Sequence, residues 1–267
     1  MTRSQYQVNE DAQKAREYRT HVGLDLSGPV PDLLQVVEGV AGVAVSVLNL
    51  PPGVSGAYTI QEDQGFAFLN LTDPVVRQRF TLAHELAHHV FGDGAIIDSE
   101  NAVFGSPSSP IERRARTFAA EFLVPLRAVT AWMDARGTSE VTLRVVVELA
   151  SYFRVSAETA LIRLGLAQCI QPEGASYQGL RDAVRQGEHS RLARRLDIEE
   201  SPDALAQIKE RGVPRPPAKM WEFAVSGYEQ GLLTVDRIAG AVFRTPETIQ
   251  GVFDELGIEQ APSEPDF

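Results

Sequence analysis

The stretch RFTLAHELAHHVF, residues 79–91, contains residue types and a spacing typical of a metal-dependent hydrolase. On an α-helix, His84 and His88 lie one turn apart on the same face, so both imidazoles can reach a single cation. Glu85 adjoins them and can act as the general base on a water molecule. A catalytic zinc site needs one further protein ligand and leaves its fourth position to water. An amphipathic helix that only happens to contain histidines is the alternative, and the third ligand decides between the two.

The sequence narrows the choice of third ligand to a carboxylate. A metzincin would have Gly and then His at the third and sixth positions after His88, but Phe91 and Gly94 stand there. Cys169 is the only cysteine, which excludes a cysteine-rich zinc site and any intrachain disulfide. We therefore expect the ligand to come from an acidic residue on an element that follows the histidines.

Glu112 is the leading candidate for that ligand. It lies 24 positions after His88 (112 − 88), at the start of ERRARTFAAEFLVP, and its helical face continues with small residues that allow close packing on the first helix. The residues sharing that face are Ala115, Ala119 and Leu123. A helix-terminal carboxylate that interacts only with the helix dipole is the alternative role for Glu112. The other candidate ligands are Asp93, Asp98 and Glu100 in the intervening loop, and Glu121, which should point away.

The elements that position these residues are predicted as a small sheet followed by two helices. The runs VAVSVLNL, GAYTI and FAFLNL are β-prone, and the polar turn QEDQG joins the last two into a hairpin. Asp73 followed by Pro74 predicts a helix start, and Gly92 a helix end, so the histidine helix should run from about residue 74 to residue 91. A loop should follow, then a second helix over residues 111–123.

The rest of the chain is predicted to be almost wholly helical. VTLRVVVELASYF and SAETALIRLGL form a helical pair, and a similar phrase returns near the C-terminus, where Thr245 replaces Ser156 as the helix cap. Both pairs resemble helix-turn-helix units, although ordinary helical hairpins give the same pattern. We predict an N-terminal helical extension (1–27), a peptidase-like domain (28–125), a helix-turn-helix-like segment (126–170) and a helical C-terminal region (171–267).

The composition of the chain limits the classes of protein and of binding partner that are expected. The 267 residues carry a formal net charge of −11, which opposes nonspecific attraction to phosphate backbones, so we do not expect direct nucleic-acid binding. The chain starts without the apolar segment of a signal peptide and has no run of about 18 apolar residues. The single cysteine agrees with a reducing compartment. These features predict a cytoplasmic protein that does not enter a membrane.

RQRFTLAHELAHHVF and ERRARTFAAEFLVP, with the hairpin before them and VSAETALIRLGL after them, closely resemble the ImmA/IrrE family of HExxH metallopeptidases over residues 28–168. The resemblance implies an α+β, zincin-like (gluzincin) fold. It also implies a cytoplasmic zinc endopeptidase whose protein substrate is a helix-turn-helix repressor, cleaved to relieve repression. By position, His84, His88 and Glu112 match the metal ligands and Glu85 the catalytic glutamate. This sequence departs from the family pattern at Ala87, where Gly is common, and at Arg116, where Asn is common.

The resulting hypothesis is peptide-bond hydrolysis with Zn²⁺ as cofactor, although a His₂Glu site also accepts Mn²⁺. Tyr58 on the hairpin is a candidate oxyanion donor, with an ordinary half-buried tyrosine as the alternative. The strand over residues 66–71 is predicted to form the cleft edge, where an extended substrate adds as another strand. Two other functions remain open. One is a metal-stabilised sensor or binding module that sequesters a regulator without cleaving it, and the other is a DNA-binding protein, which the acidic charge opposes.

Overall fold

The computed structural model describes residues 3–99, 109–198 and 204–260, and within these the side chains of all residues except 3–8 and 97–99. The fold is α+β. It opens with helix α1 (Arg3–His21) and a short helix α2 (Leu33–Gln35), which continues as a π-helical turn over Val36–Val40. α1 packs against the core of the domain. Its buried Arg19 donates to the carbonyl oxygens of Phe122, Asp25 and Gly28, and this fixes the N-terminal helix to the domain core.

The sheet contains strands β1 (Ala44–Leu48), β2 (Val54–Gln61), β3 (Gln64–Asn70) and β4 (Ile96–Ser99). Their order in the described part of the chain is β1-β3-β2-β4, with β1 parallel to β3 and the other pairs antiparallel. The predicted β2–β3 hairpin is confirmed. Its two-residue turn is formed by Glu62 (φ 48°) and Asp63 (φ 68°), the left-handed conformations that join antiparallel strands tightly.

Two predictions about this sheet were wrong. β3 is not a cleft edge, because β1 and β2 pair with it on its two sides and leave its backbone no free hydrogen-bonding side. The segment after the histidine helix is not all loop, since β4 pairs with β2 from Val54 to Tyr58. On the opposite side of the sheet, Val47 of β1 exchanges two backbone hydrogen bonds of 2.9 Å with Arg215 from the C-terminal region.

The two helices that should carry the chemistry lie where the sequence predicts them. α3 spans Val75–Phe91 and ends at Gly92, whose φ of 70° suits a glycine. It begins one residue later than predicted, with Pro74 rather than Asp73 in the cap position. α4 spans Pro110–Leu123, and its first N–H groups are capped by Ser109, whose hydroxyl accepts from Ile111. α3 packs between the sheet and α4.

The helical remainder continues along the chain without further strands in its described part. The helices are α5 (Leu126–Arg136), α6 (Leu143–Phe153), α7 (Ala157–Leu166), α8 (Ala175–Arg185), α9 (Glu188–Arg195), α10 (Ala204–Arg211), α11 (Ala218–Glu229), α12 (Val235–Ala241) and α13 (Pro246–Leu256). Buried apolar residues from α1 through α7, together with Leu205 of α10, form one core, and α11–α13 enclose a second, smaller one. No helix among the described residues is both long and apolar enough to cross a membrane.

The two predicted helical pairs are α6–α7 and α12–α13, and their connections are alike. Each turn contains a non-glycine residue in the left-handed region, Arg154 in the first and Phe243 in the second, both with φ of 56°. Each second helix is capped by a hydroxyl, from Ser156 and Thr245. The assignment of these pairs as helix-turn-helix units stays a prediction.

Candidate metal centre

The site forms where α3 and α4 pack closely. Small buried residues on both helices agree with this close approach. The fully buried small residues are Ala83 and Ala87 on α3, and Ala115 and Ala119 on α4. Ala87 is one of these residues, so it is compatible with close packing. Ser109 and Pro110 start α4 so that Glu112 falls in its first turn, where the helix dipole favours a carboxylate.

His84, His88 and Glu112 come together in this packing. One ligand atom from each residue lies within 4.8 Å of the others. Glu112 Oε2 is 3.0 Å from His84 Nε2 and 3.9 Å from His88 Nε2. Two ligands bound tetrahedrally to one Zn²⁺ through bonds of about 2.05 Å lie about 3.3 Å apart, so these separations fit one ion.

The donor set also fits a metal chemically. Two imidazole nitrogens and one carboxylate oxygen are the ligands of a His₂Glu zinc site, and they leave a coordination position for water or substrate. Both histidine side chains are fully buried, whereas Glu112 keeps 12% of its side chain exposed. Solvent therefore reaches the group from the N-terminal end of α4.

Glu85 lies on the side of α3 that faces the sheet. It is fully buried, and its carboxylate packs against Gly56 of β2 so closely that a Cβ on Gly56 would lie 2.2 Å from Glu85 Oε1. The same Cβ would lie 2.4 Å from Thr81 Cγ2. Position 56 thus has to be glycine for the carboxylate to occupy this place.

The carboxylates proposed as alternatives to Glu112 are placed differently. Asp93 contacts His88 at Nδ1, with Oδ2 2.8 Å away, and so cannot share an ion bound at Nε2. Glu121 is buried in an ion-pair network with Arg16 and Arg163. Glu100 and the side chain of Asp98 lie outside the described residues.

Tyr58 is fully enclosed rather than half-buried, with 2% exposure, and its hydroxyl is engaged. A hydrogen bond of 2.9 Å joins it to Nδ1 of His89, and Gly65 lies against this pair, since a Cβ there would be 2.9 Å from that nitrogen. Burial, and secondarily the charge of Asp93, raises the pKa of Tyr58, while burial lowers the pKa of His89. Both side chains are therefore neutral at pH 7, and this contact gives no support to Tyr58 as an oxyanion donor.

His89 was not among the candidate residues from sequence. Its position next to His88 on a helix turns its ring about 100° away from the metal-binding face, so spacing alone excluded it. A third histidine in a buried helix was nevertheless a signal for a polar partner on the adjoining sheet. The structure supplies that partner as Tyr58.

An α+β protein with a buried His-His-Glu group able to hold a metal ion is the class that this fold and site define. The family model described as the IrrE N-terminal-like domain, Peptidase_M78, matches residues 39–165, and this match supports membership of the ImmA/IrrE family. A comparison with curated proteins finds no match. Similarity to this peptidase domain indicates metallopeptidase activity and a protein substrate.

Proposed function

We propose that the protein is a cytoplasmic zinc-dependent endopeptidase with His84, His88 and Glu112 as metal ligands and Glu85 as general base. The observation that carries this proposal is the buried convergence of the three ligand atoms within 4.8 Å. Zn²⁺ bound there would polarise the scissile carbonyl and lower the pKa of a water molecule. A hydrolytic site also needs a proton acceptor besides these three ligands. We assign this role to Glu85, which adjoins His84.

Glu85 performs the proton transfers. Its carboxylate accepts the proton of the attacking water as the water oxygen bonds to the carbonyl carbon of the substrate. It then delivers that proton to the amide nitrogen as the carbon–nitrogen bond breaks, so the amine leaves neutral. Gly56 leaves room for this carboxylate between α3 and β2, because a Cβ at this position would lie 2.2 Å from Glu85 Oε1.

The substrate we propose is a helix-turn-helix transcriptional repressor, a class to which the family resemblance leads. Two described features agree with a protein partner rather than nucleic acid. The chain has a net charge of −11, and α13, the second helix of the C-terminal pair, carries Glu247, Asp254 and Glu255 without a basic residue.

The test has two stages, beginning with metal. Protein purified without chelators should contain about one zinc per chain by elemental analysis, and Glu112→Ala should lose it while the matched control Glu140→Ala, an exposed residue, keeps it. A folded wild-type protein that binds no divalent metal would refute the peptidase proposal. Manganese in place of zinc would change only the identity of the ion.

The second stage tests cleavage. A helix-turn-helix repressor encoded beside this protein should yield new fragments with the wild-type enzyme. Glu85→Gln preserves side-chain shape, so it should retain zinc but lose cleavage by about 10²-fold or more. Full activity of Glu85→Gln would show that Glu85 is not the base. A stable complex that never produces a fragment would instead identify a binding module.

A further inference from the structure

His88 has polar partners at both ring nitrogens. Nε2 faces Glu112 Oε2 at 3.9 Å, and Nδ1 lies 2.8 Å from Asp93 Oδ2. An ionised carboxylate can only accept a hydrogen bond, so the imidazole must donate its proton from Nδ1. The neutral ring then presents its lone pair at Nε2, toward Glu112.

The end of α3 brings Asp93 to this position. Gly92, in the left-handed conformation, reverses the chain, and the backbone N–H of Asp93 donates to the carbonyl oxygen of His88 at 2.9 Å. Main chain and side chain of Asp93 therefore both bond to the same histidine. The turn that ends α3 therefore also places the carboxylate of Asp93 beside the imidazole of His88.

Arg114 holds Asp93 from the opposite helix. Its guanidinium bonds to Asp93 Oδ1, the oxygen that His88 does not use, and lies over the ring of Phe91 with 4.7 Å to the centroid. Arg114 follows Glu112 by two residues, so α4 contributes a residue near each of the two ring nitrogens of His88. Glu112 lies toward Nε2, and Arg114 fixes the acceptor at Nδ1.

We propose that Asp93 and Arg114 are positioning residues that lock His88 in the tautomer with its metal-binding nitrogen free of a proton. This inference rests on the proposed metal site but makes a separate claim about how the site is prepared. Metal-bound histidines generally need such an acceptor, and its loss weakens metal affinity by about 10- to 100-fold. Asp93 is 9% exposed, so water replaces it poorly when it is removed.

Zinc affinity, measured by competition with a chromophoric chelator, tests the claim. Asp93→Ala should raise the dissociation constant by about 10- to 100-fold. Asp93→Asn keeps an oxygen acceptor and should lose less, and Arg114→Ala should fall between wild type and Asp93→Ala. Arg113→Ala, at the exposed neighbouring position, is the matched control and should bind like the wild type.

A second readout uses metal-free protein and separates tautomer control from general stabilisation. Long-range ¹H–¹⁵N correlation spectra of ¹⁵N-histidine-labelled protein, recorded at a pH where the rings are neutral, should show His88 protonated at Nδ1 in wild type and in Asp93→Asn. Asp93→Ala should shift the ring toward the Nε2-protonated form. A purely structural role would lower the melting temperature without this shift.

The outcomes distinguish the two proposals. The positioning role alone would be overturned if Asp93→Ala bound zinc with a dissociation constant within twofold of the wild type. A wild-type His88 protonated at Nε2 would overturn it as well. A wild type that binds no zinc would refute the proposed function, and the metal-free spectra would still decide the tautomer. Should Asp93→Ala fail to fold, Asp93→Asn and Arg114→Ala provide the same comparison.

Discussion

Replacement of Gly56 by alanine should destabilise the protein through a clash that the structure locates. The added Cβ would lie 2.2 Å from Glu85 Oε1 and 2.4 Å from Thr81 Cγ2, both far below the 3.4 Å at which ordinary contact begins. Strand β2 cannot move aside easily, because β3 and β4 pair with it on both sides. Overpacking in a buried position costs about 1–3 kcal/mol, and two simultaneous clashes place Gly56→Ala near the upper end.

A double-mutant cycle shows whether the carboxylate causes the cost. Glu85→Ala removes the shorter of the two contacts, so adding Gly56→Ala to that background should cost about 1 kcal/mol less than adding it to the wild type. Urea unfolding measures all four proteins. Gly179→Ala is the control, because its Cβ would meet nothing within 4 Å on α8, and it should stabilise by about 0.5–1 kcal/mol.

Two results would refute this reasoning. The first is a Gly56→Ala protein that unfolds within about 0.5 kcal/mol of wild type, the range typical of a surface substitution away from special features. The second is a Gly56→Ala substitution that costs the same free energy of unfolding in the wild type and in Glu85→Ala. That result would assign the clash to Thr81 and would show that β2 does not fix the position of Glu85.

Three further predictions concern other residues of the chain. Gly65→Ala should break the hydrogen bond of Tyr58 and cost about 1–3 kcal/mol in urea unfolding, and an unchanged midpoint would contradict the close packing. Glu121→Ala should cost about 3–5 kcal/mol, because it leaves the buried Arg163 without its anion; a loss below 1 kcal/mol would contradict that account. Cys169 should react with iodoacetamide more slowly in native than in unfolded protein at pH 7.5, since burial raises its thiol pKa and reduces the thiolate, and equal rates would argue against this.

Local signals were enough to predict the elements that hold the ligands. Gly92 marks the end of α3 because few other residues adopt its backbone conformation, and the histidine spacing defines one helix face. The turn of the hairpin was located correctly, but Gly65 was interpreted as part of it. The turn is Glu62–Asp63, and Gly65 is instead required for contact with His89, a purpose that only tertiary packing reveals.

The pairing of strands that are distant in the chain could not be predicted from the sequence. β4 is four residues long and joins a partner some 40 positions earlier, and two isoleucines in so short a run are a weak signal for a strand. β3 was predicted to form the edge of the cleft, yet β1 and β2 pair with it on both sides. Asp93 was identified as a carboxylate near the site but assigned as a possible ligand, because sequence cannot show which nitrogen of His88 it meets.

The polar face of α3 is the strongest indication that its residues serve a chemical function and not stability alone. A helix between a sheet and another helix would normally bury apolar side chains toward both, yet α3 buries charged and polar residues. Those on the face that contains the histidines are Thr81, His84, Glu85 and His88. Gly56 and Gly65, on adjoining strands, make room for this face by lacking side chains. Because apolar residues at the same positions would give a simpler core, the conflict between local sequence and burial marks the place where function determines the residue.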